Sequence, residues 1–427
     1  MKKILFANLF IIPLLIHAQS FETIQWINDN AIKIEDANPD TDLIEFAQNM
    51  PAKFAKAKIY GFGEASHNTK EFFDLKAKFF KYLVKTQGVR TFIMEESYQA
   101  ESDINTWLSG GNGDIKRIAE NFSIGFWRCI EVLDLMQWIK NYNAEKPLEE
   151  QIRFYGMDIQ VGHSINQKLR SLISKYNIAV EEKLLLTVDS CATKKIDYQI
   201  VDNWWKTQIP KLYKLKQQIL DAQLVKEVYN PVVRSLNYLI NYTEYAAKIK
   251  EVYPTSTKLR DLKMFENVKW IIENESDNGK AFVWAHNEHI NKKEMYYTRS
   301  GIPNLGRHLK DHYKDVYYSI GFDFGNGTIE GYVMDKKKGN YWKTYNIDKP
   351  LKKTYAHTLI EADNDIYFIE LSSTSNFFAK KSRHLLIGAG GYQPDPLHKI
   401  LMDKVYSDSY DALIFVKTIS PADYNLN

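Results

Sequence analysis

An α/β fold in three layers, with a mainly parallel central sheet between helices, is what this sequence predicts, and three observations predict it. Short, nearly continuous apolar runs recur along the chain. Stretches with helical periodicity separate them. Polar residues of catalytic type stand at the carboxyl ends of the runs. Strands buried on both faces read as unbroken apolar runs, and parallel neighbours need a crossover, usually a helix.

Residues 58–63 read as the first strand. Residues 68–87 follow as an amphipathic helix, with Gly88 as its C-terminal stop. Residues 89–95 form the second strand, where Thr91, Phe92, Ile93 and Met94 are consecutive, and Ser97 is placed to cap the next helix. Gly110-Gly111-Asn112-Gly113 is a loop, residues 131–141 are helical and residues 152–158 are the third strand. From about residue 164 to 258 the strand signals fade. Helical patterns rich in Lys, Leu and Tyr replace them, which predicts a helical insertion or cap. The α/β rhythm then returns, with a helix over 260–275 and strands over 281–285 and 316–322. Apolar runs at 366–369 and 412–416 add strands in the tail.

The chain opens Met1-Lys2-Lys3, runs apolar to Ile16 and reaches Ala18, the pattern of a secretory signal peptide cut after Ala18. The apolar run is too short to span a bilayer and Pro13 interrupts it. No Cys follows the cut to carry a lipid. The expected mature domain is therefore residues 19–427, exported to the periplasm or beyond, with no transmembrane segment. Its formal net charge of +3 falls to +1 when Lys2 and Lys3 leave, which gives no electrostatic footprint for nucleic acid. Cys129 and Cys191 are the only cysteines, and they read as two isolated buried thiols.

Four strand ends carry the chemistry. The first ends in Glu64, with His67 three residues on. The second ends in Glu95-Glu96, the third in Asp158, and the strand at 281 runs into His286-Asn287-Glu288-His289. Ligands of open parallel sheets bind beyond the carboxyl ends of the strands. Glu95 is taken for the site and Glu96 for structure; Asp158 is a candidate substrate contact. Arg260, at the start of its helix and on one face with Met264, Asn267 and Ile271, is expected at the same edge. Lys76 falls in the middle of the apolar stripe of Phe72, Phe79 and Leu83. A charge there either snorkels to water or is held as a paired cation.

There is no Gly-x-Ser-x-Gly elbow, no phosphate-binding loop and no His-Glu-x-x-His helix. What remains is general-base chemistry on water, or a metal site drawn from Glu64, His67, Glu95, His286 and His289. Nothing in the sequence demands a cofactor. A metal- or haem-binding periplasmic protein and a binding module without catalysis are the competing readings.

These residues resemble the erythromycin esterase family over most of the mature chain. The resemblance rests on Gly63-Glu64-Ala65-Ser66-His67, Met94-Glu95, Tyr155-Gly156-Met157-Asp158, Arg260-Asp261 with Met264 and Asn267, Trp284 to His289, and Tyr317 to Phe322. It implies hydrolysis of a macrolide-type lactone ester, a small-molecule substrate and a link to antibiotic resistance. It implies that His67 is the base that activates water, that Glu64 and Glu95 support it, and that His286 and His289 complete the cleft. The family commonly has arginine where this chain has Lys76, and lysine cannot clamp a carboxylate or oxyanion bidentately.

Overall fold

The computed structural model describes residues 21–198, 200–251, 254–335, 339–371, 376–385 and 401–425. The signal peptide expected over residues 1–18 lies outside them. The fold is mixed α/β with a mostly parallel sheet, and the chain divides into two compact units. One comprises the chain up to Val89, Cys129–Leu135 and Phe282 onward; the other comprises Arg90–Arg128 and Met136–Ala281.

In the first unit the strand order is β1 (Ile32–Lys33), β8 (Ile366–Glu370), β11 (Ala412–Ile419), β6 (Tyr317–Asp335), β2 (Ile59–Phe62) and β5 (Ala281–Trp284). Strands β2 and β11 both run parallel to β6, while β8 is antiparallel to β11 and β1 to β8. Every residue of β2 and β5 is buried, as their apolar runs require. The helix Lys70–Gln87 ends where expected: Gly88 has φ 67° and its N–H bonds the carbonyl of Leu83. A residue with a Cβ resists that left-handed conformation. Phe79 of this helix meets Phe46 edge-on at 4.9 Å, and Phe46 meets Phe54 and Phe368 at 5.1 Å each. Each such buried ring contributes roughly 2 kcal/mol by transfer from water.

The strand expected over 316–322 continues to Asp335 and pairs antiparallel with β7 (Gly339–Ile347). Glycines at 325, 327 and 331 and polar neighbours hide that extension from an apolar-run reading. Strands β9 (Ser382–Leu385) and β10 (Leu401–Lys404) form a separate antiparallel pair.

The second unit holds β3 (Thr91–Ser97) and β4 (Arg153–Asp158), paired in parallel. Met94 faces Gly156 but Ser97 faces Asp158, so β3 carries one extra residue in a bulge at Glu95-Glu96. A Cβ on Gly156 would lie 2.6 Å from the Glu96 carbonyl and 2.5 Å from that of Ser97, which explains the glycine. The bulge also corrects the expected cap. Ser97 is the last residue of the strand, and the next helix is Ala100–Leu108, with Gln99 ahead of it and no side-chain cap.

Helices Ile165–Lys175, Glu182–Thr193, Trp204–Asp221 and Lys226–Lys248 share one apolar cluster that includes Leu169, Val188, Leu212 and Leu236. Arg234 is buried among them. Its fork grips Glu101, and the rings of Tyr98, Tyr155, Tyr238 and Trp270 stand 4.9 to 5.6 Å from it. Arg260 does not begin its helix: Thr255–Glu275 starts a turn earlier, behind Pro254. Met264, Asn267 and Ile271 are buried along it as the spacing predicted. Cys129 and Cys191 are buried and unpaired.

Candidate active site

Strand β2 is buried on both faces, so the chain leaves it at Gly63-Glu64 with nowhere for Glu64 to point but inward. A Cβ on Gly63 would meet the Asn287 side chain at 2.1 Å, so this strand end closes on Asn287 only because residue 63 is glycine. Asn287 then ties the edge together. Its backbone N–H donates to the Glu64 carbonyl at 3.0 Å, its Nδ2 to the Phe322 carbonyl at 2.7 Å, and its Oδ1 accepts from the Phe322 N–H at 3.0 Å.

The Glu64 side chain has both oxygens engaged. Oε1 takes the Nδ1 of His67 in a short contact, and Oε2 takes the Nζ of Lys76 in another. Lys76 and Glu64 both have 0% exposed side chains. The Lys76 ammonium therefore does not snorkel to water. It lies 4.1 Å from the centre of the Trp284 ring and 5.8 Å from that of Phe73, where the aromatic faces favour a desolvated cation. Of the two expectations for this charge, it is the paired cation that the structure holds, and its burial keeps Lys76 from contact with substrate.

His67 is fixed in consequence. With Nδ1 donating to a carboxylate, the lone pair of a neutral imidazole lies on Nε2. Lys76 balances the charge of Glu64, so the orienting carboxylate adds no net charge beside the ring. The His286 ring stands 5.0 Å from that of His67, centre to centre. Nδ1 of His286 accepts the Glu288 backbone N–H at 3.2 Å, which makes that nitrogen an acceptor. His289 is buried on the short helix Asn287–Ile290. Glu288 points elsewhere. It accepts from Lys404 Nζ at 2.9 Å and from the Tyr296 N–H, holding the following loop.

In the second unit Arg260 grips Asp158 with two parallel bonds, Nε to Oδ1 at 3.0 Å and Nη2 to Oδ2 at 2.7 Å, and Nη2 also reaches Glu95 Oε1 at 2.8 Å. Burial alone lowers the affinity of a guanidinium for its proton. Here the carboxylates of Asp158 and Glu95 outweigh it and hold Arg260 well above its ordinary pKa. Asp158 was expected to touch substrate. It is fully buried and both oxygens face Arg260, which sets it behind that cation as an anchor. Asn267 fixes the helix to the strand end through the Met157 carbonyl at 2.8 Å.

Glu95 and Glu96 share the bulge but not their partners: Glu95 meets Arg260, and Glu96 turns to the following loop. Glu96 accepts from the Ser97 N–H at 2.6 Å, the Ile124 N–H at 3.1 Å and the Ser123 hydroxyl. Burial pushes its carboxyl up to about 7, against these bonds, which favour the charged form. It anchors the 123–127 turn.

The structure thus brings Glu64, His67, Lys76 and His286 together in one unit, and Glu95, Asp158 and Arg260 together in the other. Trp284 and Asn287 are partners that sequence reasoning passed over. Both lie inside the Trp284 to His289 motif, in which only the two histidines were assigned roles. Among the described residues no group of three or more His, Cys, Asp or Glu is arranged to hold a metal ion.

Comparison with known proteins gives a consistent picture. A family model described as erythromycin esterase matches residues 84–419. Erythromycin esterase type II of Escherichia coli is 25% identical over 355 residues, which cover 76% of this chain and 83% of that one. The crystal structure of a Bacillus cereus protein superposes with a TM-score of 0.82 at 21% identity, covering 95% of this chain and 99% of its own. A mutant of the erythromycin esterase EreC in its open conformation gives a TM-score of 0.69 at 17% identity, covering 93% of this chain and 99% of its own. At such identities these two structures show likeness of fold alone.

Proposed function

We propose a mechanism from this premise: the chain belongs to the erythromycin esterase family and is a carboxylic ester hydrolase acting on a small-molecule substrate. The single observation that carries the mechanism is the buried chain of contacts Lys76–Glu64–His67. Glu64 holds the Nδ1–H of His67, so Nε2 acts as the base. It takes a proton from water as the water oxygen attacks the ester carbonyl carbon. The negative charge that develops on the carbonyl oxygen is met by the His286/His289 pair. The tetrahedral intermediate collapses, the C–O bond to the alcohol breaks, and the imidazolium returns its proton to the departing oxygen. The products are a carboxylic acid and a free hydroxyl. Asp158 and Glu95 hold Arg260, and Lys76 acts through Glu64.

The substrate we propose is a macrolide-type lactone, whose cleavage opens the ring and adds one water. The relative from Escherichia coli, an erythromycin esterase by name, supports this choice. The signal-peptide pattern of residues 1–18 supports export to the periplasm or beyond, where such compounds would be met on entry. Mass spectrometry of purified protein with a panel of macrolides and simple esters tests the reading. Ring-opened macrolide is expected, and its loss in His67→Ala. Simple esters cleaved beside intact macrolides would remove the substrate assignment. A His67→Ala variant retaining more than about half the rate would remove the base. Sequencing the exported protein's N-terminus should start at Gln19; a chain still carrying Met1 contradicts the export signal.

A further inference from the structure

The residue after His67 is unusual. Asn68 has φ 60°, in the left-handed region that residues with a Cβ avoid, although asparagine tolerates it better than most. Such a conformation persists where its surroundings over-determine it. The surroundings here come from the far end of the chain. The Ala422 N–H donates to the Asn68 carbonyl at 2.8 Å, and the Tyr424 hydroxyl donates to Asn68 Oδ1. Thr69 pairs with Pro421 as an antiparallel bridge, and the Lys70 N–H donates to the Ser420 carbonyl at 2.9 Å. Ser420 returns two bonds to Glu71, from its N–H at 2.7 Å and its hydroxyl at 2.6 Å. The tail is itself tied down: Asp423 accepts the Ile130 N–H at 2.8 Å, and its own N–H meets the Glu131 carboxylate at 3.2 Å.

We infer that the C-terminal segment 420–424 is a strap that positions His67, and that Tyr424 and Asn68 are its positioning residues. The inference rests on the reading of His67 as the base. Glu64 fixes the ring from one side, through Nδ1. The backbone that carries the ring is fixed from the other side, at Asn68, by a segment more than three hundred residues away in sequence. Displacing a catalytic group by about 1 Å costs on the order of 100-fold in rate. Tyr424 is 41% exposed, and its hydroxyl donates to the residue adjoining the base.

The test uses the full-length protein, with p-nitrophenyl acetate as the ester and three variants: Tyr424→Phe, Asn68→Gly and the double variant. Glycine keeps the left-handed backbone at 68 while deleting the acceptor. Each single variant is expected to lower kcat about 10-fold, with KM within about twofold. The double variant should be no slower than the slower single, because both delete one contact. Wild-type kcat in both single variants, or kcat losses that multiply in the double, overturns the strap. The Nδ1 proton resonance of His67 gives a second readout that needs no turnover. It should broaden or shift in both variants, and an unchanged resonance in both overturns the strap as well. His67→Ala separates the two claims. If it stays active, the base assignment fails; if it is inactive while Tyr424→Phe and Asn68→Gly match wild type, only the strap fails.

Discussion

Among the cations that lie against carboxylates in this protein, Lys76 and Arg260, one in each unit, are set differently. Lys76 has a 0% exposed side chain, makes a single-point contact to Glu64 and lies against the face of Trp284. Arg260 keeps 16% of its side chain exposed and holds Asp158 with a planar fork while a third bond reaches Glu95. The first arrangement seals a charge away, so Lys76 can act only through the carboxylate it touches. The second anchors one edge of a guanidinium by two carboxylates on a side chain that is not fully buried. A lysine serves the first place because a compact ammonium fits under an indole ring. An arginine serves the second because only a fork can be held rigidly by two oxygens. The difference teaches that a positive charge in a catalytic region need not face the substrate.

Lys76→Met breaks this comparison most severely. It leaves the buried Glu64 carboxylate without its counter-charge, and losing one partner of a buried pair costs about 3–5 kcal/mol. Turnover should fall by about 100-fold or more, with a clear drop in melting temperature. A Lys76→Met protein as stable and active as wild type would show that the ammonium does not support Glu64. Lys76→Arg sharpens the same point. The larger fork must enter a closed space beneath Trp284, so we expect lower stability but retained turnover, since the charge on Glu64 is still matched.

Arg260→Lys tests the other cation. Charge is kept but the two parallel bonds to Asp158 become one at most, so kcat should fall about 10-fold, with melting temperature changed by only a few degrees. Steady-state kinetics beside a thermal melt check it; an unaffected kcat would mean that the fork has no catalytic part.

Much of this contrast was legible in the sequence, and particular residues show where legibility stopped. Glu64, His67, Glu95, Arg260 and His286 stood out because strand ends and helical spacing are local patterns. Lys76 was visible as a misplaced charge, but its partner was not, since Glu64 reaches it across a helix and a strand end. Ser97 looked like a cap because the bulge that keeps it in the ladder depends on Gly156, sixty residues on. Asp158 looked free to meet substrate because nothing local shows that Arg260 occupies both its oxygens. The long β6–β7 hairpin is local but hidden by its glycines and polar residues, whereas the strap at 420–424 depends on pairing between distant segments, which no local periodicity encodes.

The smallest effect on turnover belongs to Glu96, which neighbours Glu95 but serves neither cation. Its folded pKa of about 7 lies above the usual carboxyl value of 4.5. The protonated form is therefore the one the fold prefers. Stability from this group is full below pH 4.5 and is lost as pH rises through 7, because the unfolded carboxyl ionises first. The loss amounts to roughly 3 kcal/mol at most. Glu96→Gln should keep kcat near wild type and flatten the fall in stability between pH 5 and pH 8. Urea titrations at the two pH values read this directly; the same fall in both proteins contradicts it.

In the proposed mechanism His67, oriented by Glu64, activates water without an acyl-enzyme. A single turnover in water labelled with oxygen-18, quenched and read by mass spectrometry of protein and product together, tests it most directly. One labelled oxygen in the carboxylic acid and an unmodified protein mass at every time point are expected. An acyl group on the protein, or an unlabelled acid in the first turnover, would contradict it.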